Sequence, residues 1–165
     1  MPFLPRPEAL LVRQLMPVIE KCASSVSAET VLDFGPVFLP TVSGVIVRQW
    51  QGQESSISMP QCIAVSSFCL SQLKRDELSA QLTTMHKASR FVLLADFKVA
   101  ERNIELPASL LMRGVMGMGT NAKGCFKEYG GLEGLLYAER KHFDVSERHS
   151  LLGGALACIL AECLR

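Results

Sequence analysis

What this chain lacks narrows it before any motif is read. It has no excess of charge: 17 Lys and Arg stand against 16 Asp and Glu in 165 residues, a formal +1. With both signs interspersed there is no electrostatic footprint for nucleic acid or for an anionic membrane. It has no apolar run approaching the ~20 residues of a membrane-spanning helix. The longest, Leu151 to Leu160, contains Gly153-Gly154 and reads as a buried strand. An apolar signal core is missing too, since Pro2, Pro5 and Pro7 surround Arg6; no secretory signal is expected, and a cytoplasmic address follows. Finally, it has no C-x-x-C pair. Cys22, Cys62, Cys69, Cys125, Cys158 and Cys163 are scattered, and none stands beside a histidine at metal-ligand spacing. The expectation is no metal and six reduced thiols, mostly buried as small hydrophobes.

What is present is apolar. Hydrophobic residues make up 48% of the chain and mean hydropathy is +0.24. At this length that supports one domain with a real core, spanning 1–165. No internal repeat, low-complexity tract or linker divides it. Residues 1–29 read as N-terminal helices and 30–165 as an α/β core.

Pro7 to Ala23 carries Leu10, Leu11, Leu15, Val18, Ile19 and Cys22 at helical spacing, with Pro17 kinking the helix or dividing it. After a polar connector, Val31 to Phe34 is apolar on both faces, as a central parallel strand is. Residues 36–60 are ambiguous. Pro40 suits a helix start continuing through Val42, Val45, Ile46 and Gln49, while Val42 to Val47 is β-branched enough for a strand. Helix is preferred, because a strand–turn–helix unit must cross back over the sheet. Gln51 to Pro60 reads as a loop.

Cys62 to Ser66 is a second buried strand, Leu70 to Ala88 an amphipathic helix, and Phe91 to Ala95 a third strand closing on Asp96. Pro107 begins a further helix through Met112 and Met116. Phe126 to Ala138 is a turn and short helix. His142 to Glu147 and Ala155 to Cys163 form a terminal strand pair. The alternation predicts a three-layer α/β/α sandwich.

In order, Glu29-Thr30-Val31-Leu32-Asp33-Phe34-Gly35, Ile63 to Phe68, Arg90 to Phe97, Phe126 to Leu136 and Leu151 to Ala155 resemble segments of class I S-adenosylmethionine-dependent methyltransferases. The small-molecule types related to ubiquinone and menaquinone biosynthesis are the nearest likeness. The resemblance implies a Rossmann-like fold, with the cofactor at the ends of the first and fourth family strands. It places Asp33, Gly35, Ser66, Ser67 and Phe68 beside S-adenosylmethionine.

Two departures count against that cofactor. The family continues Asp/Glu-x-Gly-x-Gly-x-Gly, where the glycines let the backbone approach the ligand. This chain reads Asp33-Phe34-Gly35-Pro36-Val37-Phe38-Leu39. A βα unit with its returning strand also takes ~30 residues, and two such units must fit between Pro36 and Gln61. The family's second and third strands therefore read as missing, leaving a sheet of about five strands with the first at its edge. The ribose-binding acid at the end of the second strand has no counterpart except Glu54, inside a polar loop.

The other candidates have structural readings. Asp33 and Asp96 end strands at one end of the sheet, where acid–base chemistry is conceivable, but with no recognisable partner base each reads as a cap. His86 reads as a helix-terminal surface residue, and His142 and His149 flank the terminal strands. None of the three joins a nucleophile pattern. Met112, Met116 and Met118 suit lid or core packing, and Lys98, Glu101, Arg102 and Glu105 a solvated connector.

The preferred expectation is a methyltransferase-like protein without catalysis and without a cofactor. It would act as a homodimer or by pairing with another protein, because an apolar edge strand needs a cover. The alternatives are a minimal S-adenosylmethionine-dependent methyltransferase acting on a small apolar substrate, and a small-molecule binding module using the same cleft.

Overall fold

A computed structural model describes residues 7–35, 39, 42, 44–52, 59–100, 104–105 and 124–165. In chain order the elements are α1 (Pro7–Ser25), β1 (Thr30–Asp33), β2 (Ile46–Gln49), β3 (Met59–Ser67), α2 (Arg75–Ala88), β4 (Ser89–Phe97), β5 (Val99–Ala100), β6 (Ile104–Glu105), α3 (Gly124–Glu128), α4 (Gly131–Ala138), β7 (Phe143–Leu151) and β8 (Leu156–Cys163). Six strands form the main sheet in the order β2-β1-β3-β4-β8-β7. The β1–β2, β1–β3 and β3–β4 pairs are parallel. The β4–β8 and β7–β8 pairs are antiparallel. The expected three-layer arrangement with a terminal antiparallel pair is present.

Periodicity explains how the layers close. In α1, Leu11, Leu15, Val18, Ile19 and Cys22 recur at helical spacing, and all pack on one face of the sheet with Val31, Ile63, Val65, Leu93 and Leu160. Pro17 does not divide this helix. It lies on the exposed side, as does Arg13, so the carbonyl its missing N–H leaves unpaired faces solvent. On the other face Leu78, Leu82 and Met85 of α2 join Phe126 of α3 and Leu132, Leu135 and Leu136 of α4. Each fully buried side chain of this kind contributes about 1.5–3 kcal/mol. The helix expected from Leu70 starts later. Leu70–Gln72 form a 3₁₀ turn, and α2 opens where the Glu77 carboxylate accepts the Lys74 N–H at 2.8 Å.

The segment before β3 departs from expectation. The helix preferred through Gln49 does not form; Ile46–Gln49 is a strand in parallel register with Thr30–Asp33. A second strand is therefore present, the sheet has six strands among the described residues, and of these β2 rather than β1 is outermost. For this second strand the spacing argument failed, because it allotted a helix to the crossover. The return from residue 34 to 45 is about a dozen residues, the least a parallel pair requires, and it contains no helix among its described residues. Leu39 and Val42 of this connection are buried in the same cluster as α1, covering β1 where a helix would otherwise lie.

The β7–β8 ladder has a register shift between Val145 and Glu147. Before it, Phe143 and Val145 face the α2–α4 layer. After it, Leu151 packs with α1.

Candidate functional site

The residues singled out in sequence converge at the carboxyl ends of β1, β3 and β4, where open α/β sheets bind ligands. Asp33 ends β1 only 1% exposed. Its Oδ1 accepts the Gly35 N–H at 2.9 Å and its Oδ2 the Leu39 N–H at 3.0 Å. Burial raises the pKa of this carboxyl above its ordinary value, outweighing the two amides that favour the ionised form. Both oxygens thus hold the loop that follows. The capping role is the one observed.

Asp96 does the same for the neighbouring turn. Its carboxylate accepts the Ser71 N–H at 2.9 Å, the Ser71 hydroxyl at 2.7 Å and the Phe97 N–H at 2.8 Å, fully buried. The two carboxylates lie at the same end of the sheet, Asp33 bonded to the loop that follows it and Asp96 to the turn after β3 and to its own neighbour Phe97.

Between them stand Ser66, Ser67 and Phe68. Ser66 Oγ lies 3.0 Å from Cys69 Sγ and accepts from Gln81 Nε2 at 3.2 Å. Burial leads the rise in the Cys69 pKa, hydrogen bonds from Ser66 and Gln81 oppose it, and the charges of Asp96 and Asp33 add to it. The shift disfavours the nucleophilic thiolate at Cys69. Phe68 takes a left-handed φ of 58°, donates its N–H to Ala95 O at 2.8 Å and buries its ring 5.6 Å from that of Phe97. It is a core residue of the α1 face.

Ser67 and Gly35 meet directly. A Cβ at Gly35 would fall well inside contact distance of Ser67 Oγ, 3.1 Å from Ser67 O and 3.2 Å from Asp33 Oδ1. Glycine is needed here because β3 crosses close behind the loop. Ser67 Oγ itself is buried with no hydrogen-bond partner among the described residues, as is Gln72 Nε2 in the turn that follows β3.

Sequence reasoning missed the end of β2. Gln49 Nε2 donates to Gly35 O at 3.2 Å and the Trp50 N–H to Asp33 O at 2.9 Å. The Trp50 ring stacks on Phe34, with centroids 4.9 Å apart and planes 16° from parallel. An amide and an indole thus stand where the resemblance calls for a ribose-binding carboxylate. The only signal available was the chain's single Trp, uninformative until β2 is recognised as a strand. Glu54 lies outside the described residues, as do Glu101, Arg102, Met112, Met116 and Met118.

The histidines stand elsewhere. His86 and His142, with ring centroids 5.5 Å apart, line a cleft of about 320 Å³ with Ser79, Thr83, Lys87 and Glu139. Since α2 runs from there into the start of β4, this cleft lies at the opposite end of the sheet from Asp33 and Asp96. His149 lies against α1, beside Cys22. No disulfide links the six cysteines, four of which are buried.

No protein-family model and no curated protein sequence matches the chain. Solved structures do. TnmH superposes with a TM-score of 0.59 at 15% identity, covering 95% of this chain and 57% of its own. The methyltransferase domain of a bacterial CtHen1 superposes at 0.53 and 12% identity, covering 91% of this chain and 98% of its own. The chain thus spans little more than half the length of TnmH. These likenesses assign the fold, a Rossmann-like class I methyltransferase fold. Among the described residues, no helix is long and apolar enough to cross a membrane.

Proposed function

We propose that this protein is a methyltransferase-fold chain that does not turn over S-adenosylmethionine and works by associating with another polypeptide, a second copy of itself or an intact methyltransferase. The observation that carries this reading is the use to which the strand ends are put. Asp33 spends both carboxylate oxygens on the loop behind it, Gln49 ties down the Gly35 carbonyl, and Phe34 and Trp50 cover one another. The sequence supports the same reading: where the family resembled has its glycine loop this chain has Pro36, Val37 and Leu39, and Gln49 ends β2 in place of an acid. Support for association comes from β2, the outermost of the described strands, whose Ile46 is 58% exposed. A strand edge with unpaired backbone groups is stabilised by pairing or cover.

S-adenosylmethionine binding at the same strand ends is the competing reading. The fold likeness favours it, as does Ser67 Oγ, since a buried hydroxyl without a partner is the kind of group a ligand completes. Isothermal titration with S-adenosylmethionine and S-adenosylhomocysteine separates the two. The expected result is no heat at high ligand concentration, with a dimer or larger species in light scattering. Micromolar binding that weakens in Ser67→Ala, or a clean monomer at micromolar protein concentration, overturns the proposal.

A further inference from the structure

The bulge in β7 has a consequence on the α1 face of the sheet. Strand residues alternate between faces, so one extra residue sends every following side chain to the opposite side. Without the shift between Val145 and Glu147, Glu147 and His149 would face the same layer as Phe143 and Val145. With it, they face the last turns of α1, while Arg148 turns to the other layer and bonds Glu133 of α4 at 2.9 Å.

There they meet Cys22. The cysteine Sγ lies 3.8 Å from His149 Nε2, and Glu147 Oε2 lies 3.1 Å from the same nitrogen. The three atoms all fall within 4.8 Å of one another. Both neighbours address one ring nitrogen, which has a single hydrogen or a single lone pair to offer. As a hydrogen-bond cluster the set serves Glu147 and leaves Cys22 only a long contact.

As a ligand set it is well matched. At ordinary zinc–ligand bond lengths, a tetrahedral ion separates a thiolate sulfur from an imidazole nitrogen by roughly 3.6 Å, and that nitrogen from a carboxylate oxygen by roughly 3.4 Å. The observed sulfur–nitrogen separation of 3.8 Å is slightly longer than its value and the nitrogen–oxygen separation of 3.1 Å slightly shorter, so small side-chain rotations suffice. Cysteine, histidine and a carboxylate are also the donors that zinc prefers.

We infer that Cys22, Glu147 and His149 form a binding site for a zinc-like divalent ion, joining α1 to β7 with its fourth position left to water. The thiol proton leaves to solvent as the sulfur binds. Two neighbours bear on the site. Lys21 Nζ stands 3.6 Å from Glu147 Oε2 but is 66% exposed, so it can swing aside. Cys158, opposite His149 in the β7–β8 register, is buried beneath.

The test uses the full chain stripped of metal by chelator and titrated with Co²⁺. The expected result is one ion per chain, with thiolate-to-cobalt absorption in the near ultraviolet and the visible bands of four-coordinate cobalt, both erased by Zn²⁺. Cys22→Ser removes the ultraviolet band. His149→Gln and Glu147→Gln, at partly exposed positions, fold normally and weaken binding by more than about tenfold. Zn²⁺ raises the thermal midpoint of the unaltered chain and not that of His149→Gln. Absence of the thiolate band, or a band that persists unchanged in His149→Gln, overturns the assignment; the second result would place the ion on other cysteines. Neither result depends on whether S-adenosylmethionine binds.

Discussion

The contact between Gly35 and Ser67 offers a quantitative test of how the strand ends are packed. Gly35 does not have a positive φ, so alanine is compatible with its backbone. On that ground alone Gly35→Ala would stabilise by about 0.4–1 kcal/mol through the unfolded chain. Against this, the new Cβ overlaps Ser67 Oγ and crowds Ser67 O and Asp33 Oδ1 at 3.1 and 3.2 Å. Forcing a methyl group into a filled site costs typically about 1–3 kcal/mol. The net expectation is a loss of about 1–2 kcal/mol, or roughly 2–8 °C in thermal midpoint for a domain of this size.

Ser67→Ala is expected to act in the opposite direction. The Ser67 hydroxyl is buried without a partner among the described residues, and relieving such a group recovers up to about 1–3 kcal/mol. In the Gly35→Ala/Ser67→Ala double variant the overlap disappears, leaving only the two tight oxygen contacts. The coupling energy should then be about 1–2 kcal/mol, well outside the roughly 0.3–0.5 kcal/mol scatter of independent sites. Urea denaturation of the four proteins, compared at a common slope, measures it. If Gly35→Ala costs the same with alanine at position 67 as with serine, the overlap is not the cause and the described packing is refuted.

Two further outcomes follow from the same geometry. Gly134 in α4 lies so close to the Tyr129 carbonyl that any Cβ would overlap main chain, and no side-chain rotation relieves that. Gly134→Ala is expected to lose about 3 kcal/mol or more, seen as a large drop in the urea midpoint; near-neutral behaviour would refute the contact. Asp33, whose carboxyl pKa is raised by burial, binds its proton more tightly folded than unfolded, so its contribution to stability grows as pH falls through the folded value toward 3.8. Asp33→Asn should remove that component, visible as a difference between the two stability–pH profiles confined to that acid window. Parallel profiles there would contradict the shift.

The parts of the fold legible in the sequence are those whose burial is uniform. β3 and β4 run buried on both faces, and their apolar runs announce them. The spacing of Leu78, Leu82 and Met85 announces α2 differently, through one buried face that recurs at helical period. β2 could not be read this way. Its four residues alternate between exposed and half-buried at the sheet's edge, leaving no burial signature to detect, and a crossover with no described helix defeated the count of residues. At the candidate site Asp33, Gly35 and Asp96 were legible as strand-end residues, and the capping reading matches their geometry. The partners Gln49 and Trp50 were hidden with the strand that carries them.

The sequence by itself determined the layers and most of the strands, because these follow from local periodicity and residue type, and it put Val37 and Leu39 where the family it resembles has glycines. Only the tertiary structure decided what meets what. Cys22 and His149 are 127 residues apart, and no spacing rule connects them. Phe143, Val145, Glu147, His149 and Leu151 look like one unbroken alternation in sequence. Pairing with β8 places the bulge that turns the last three onto α1, because register is set by the partner strand and not by the strand alone.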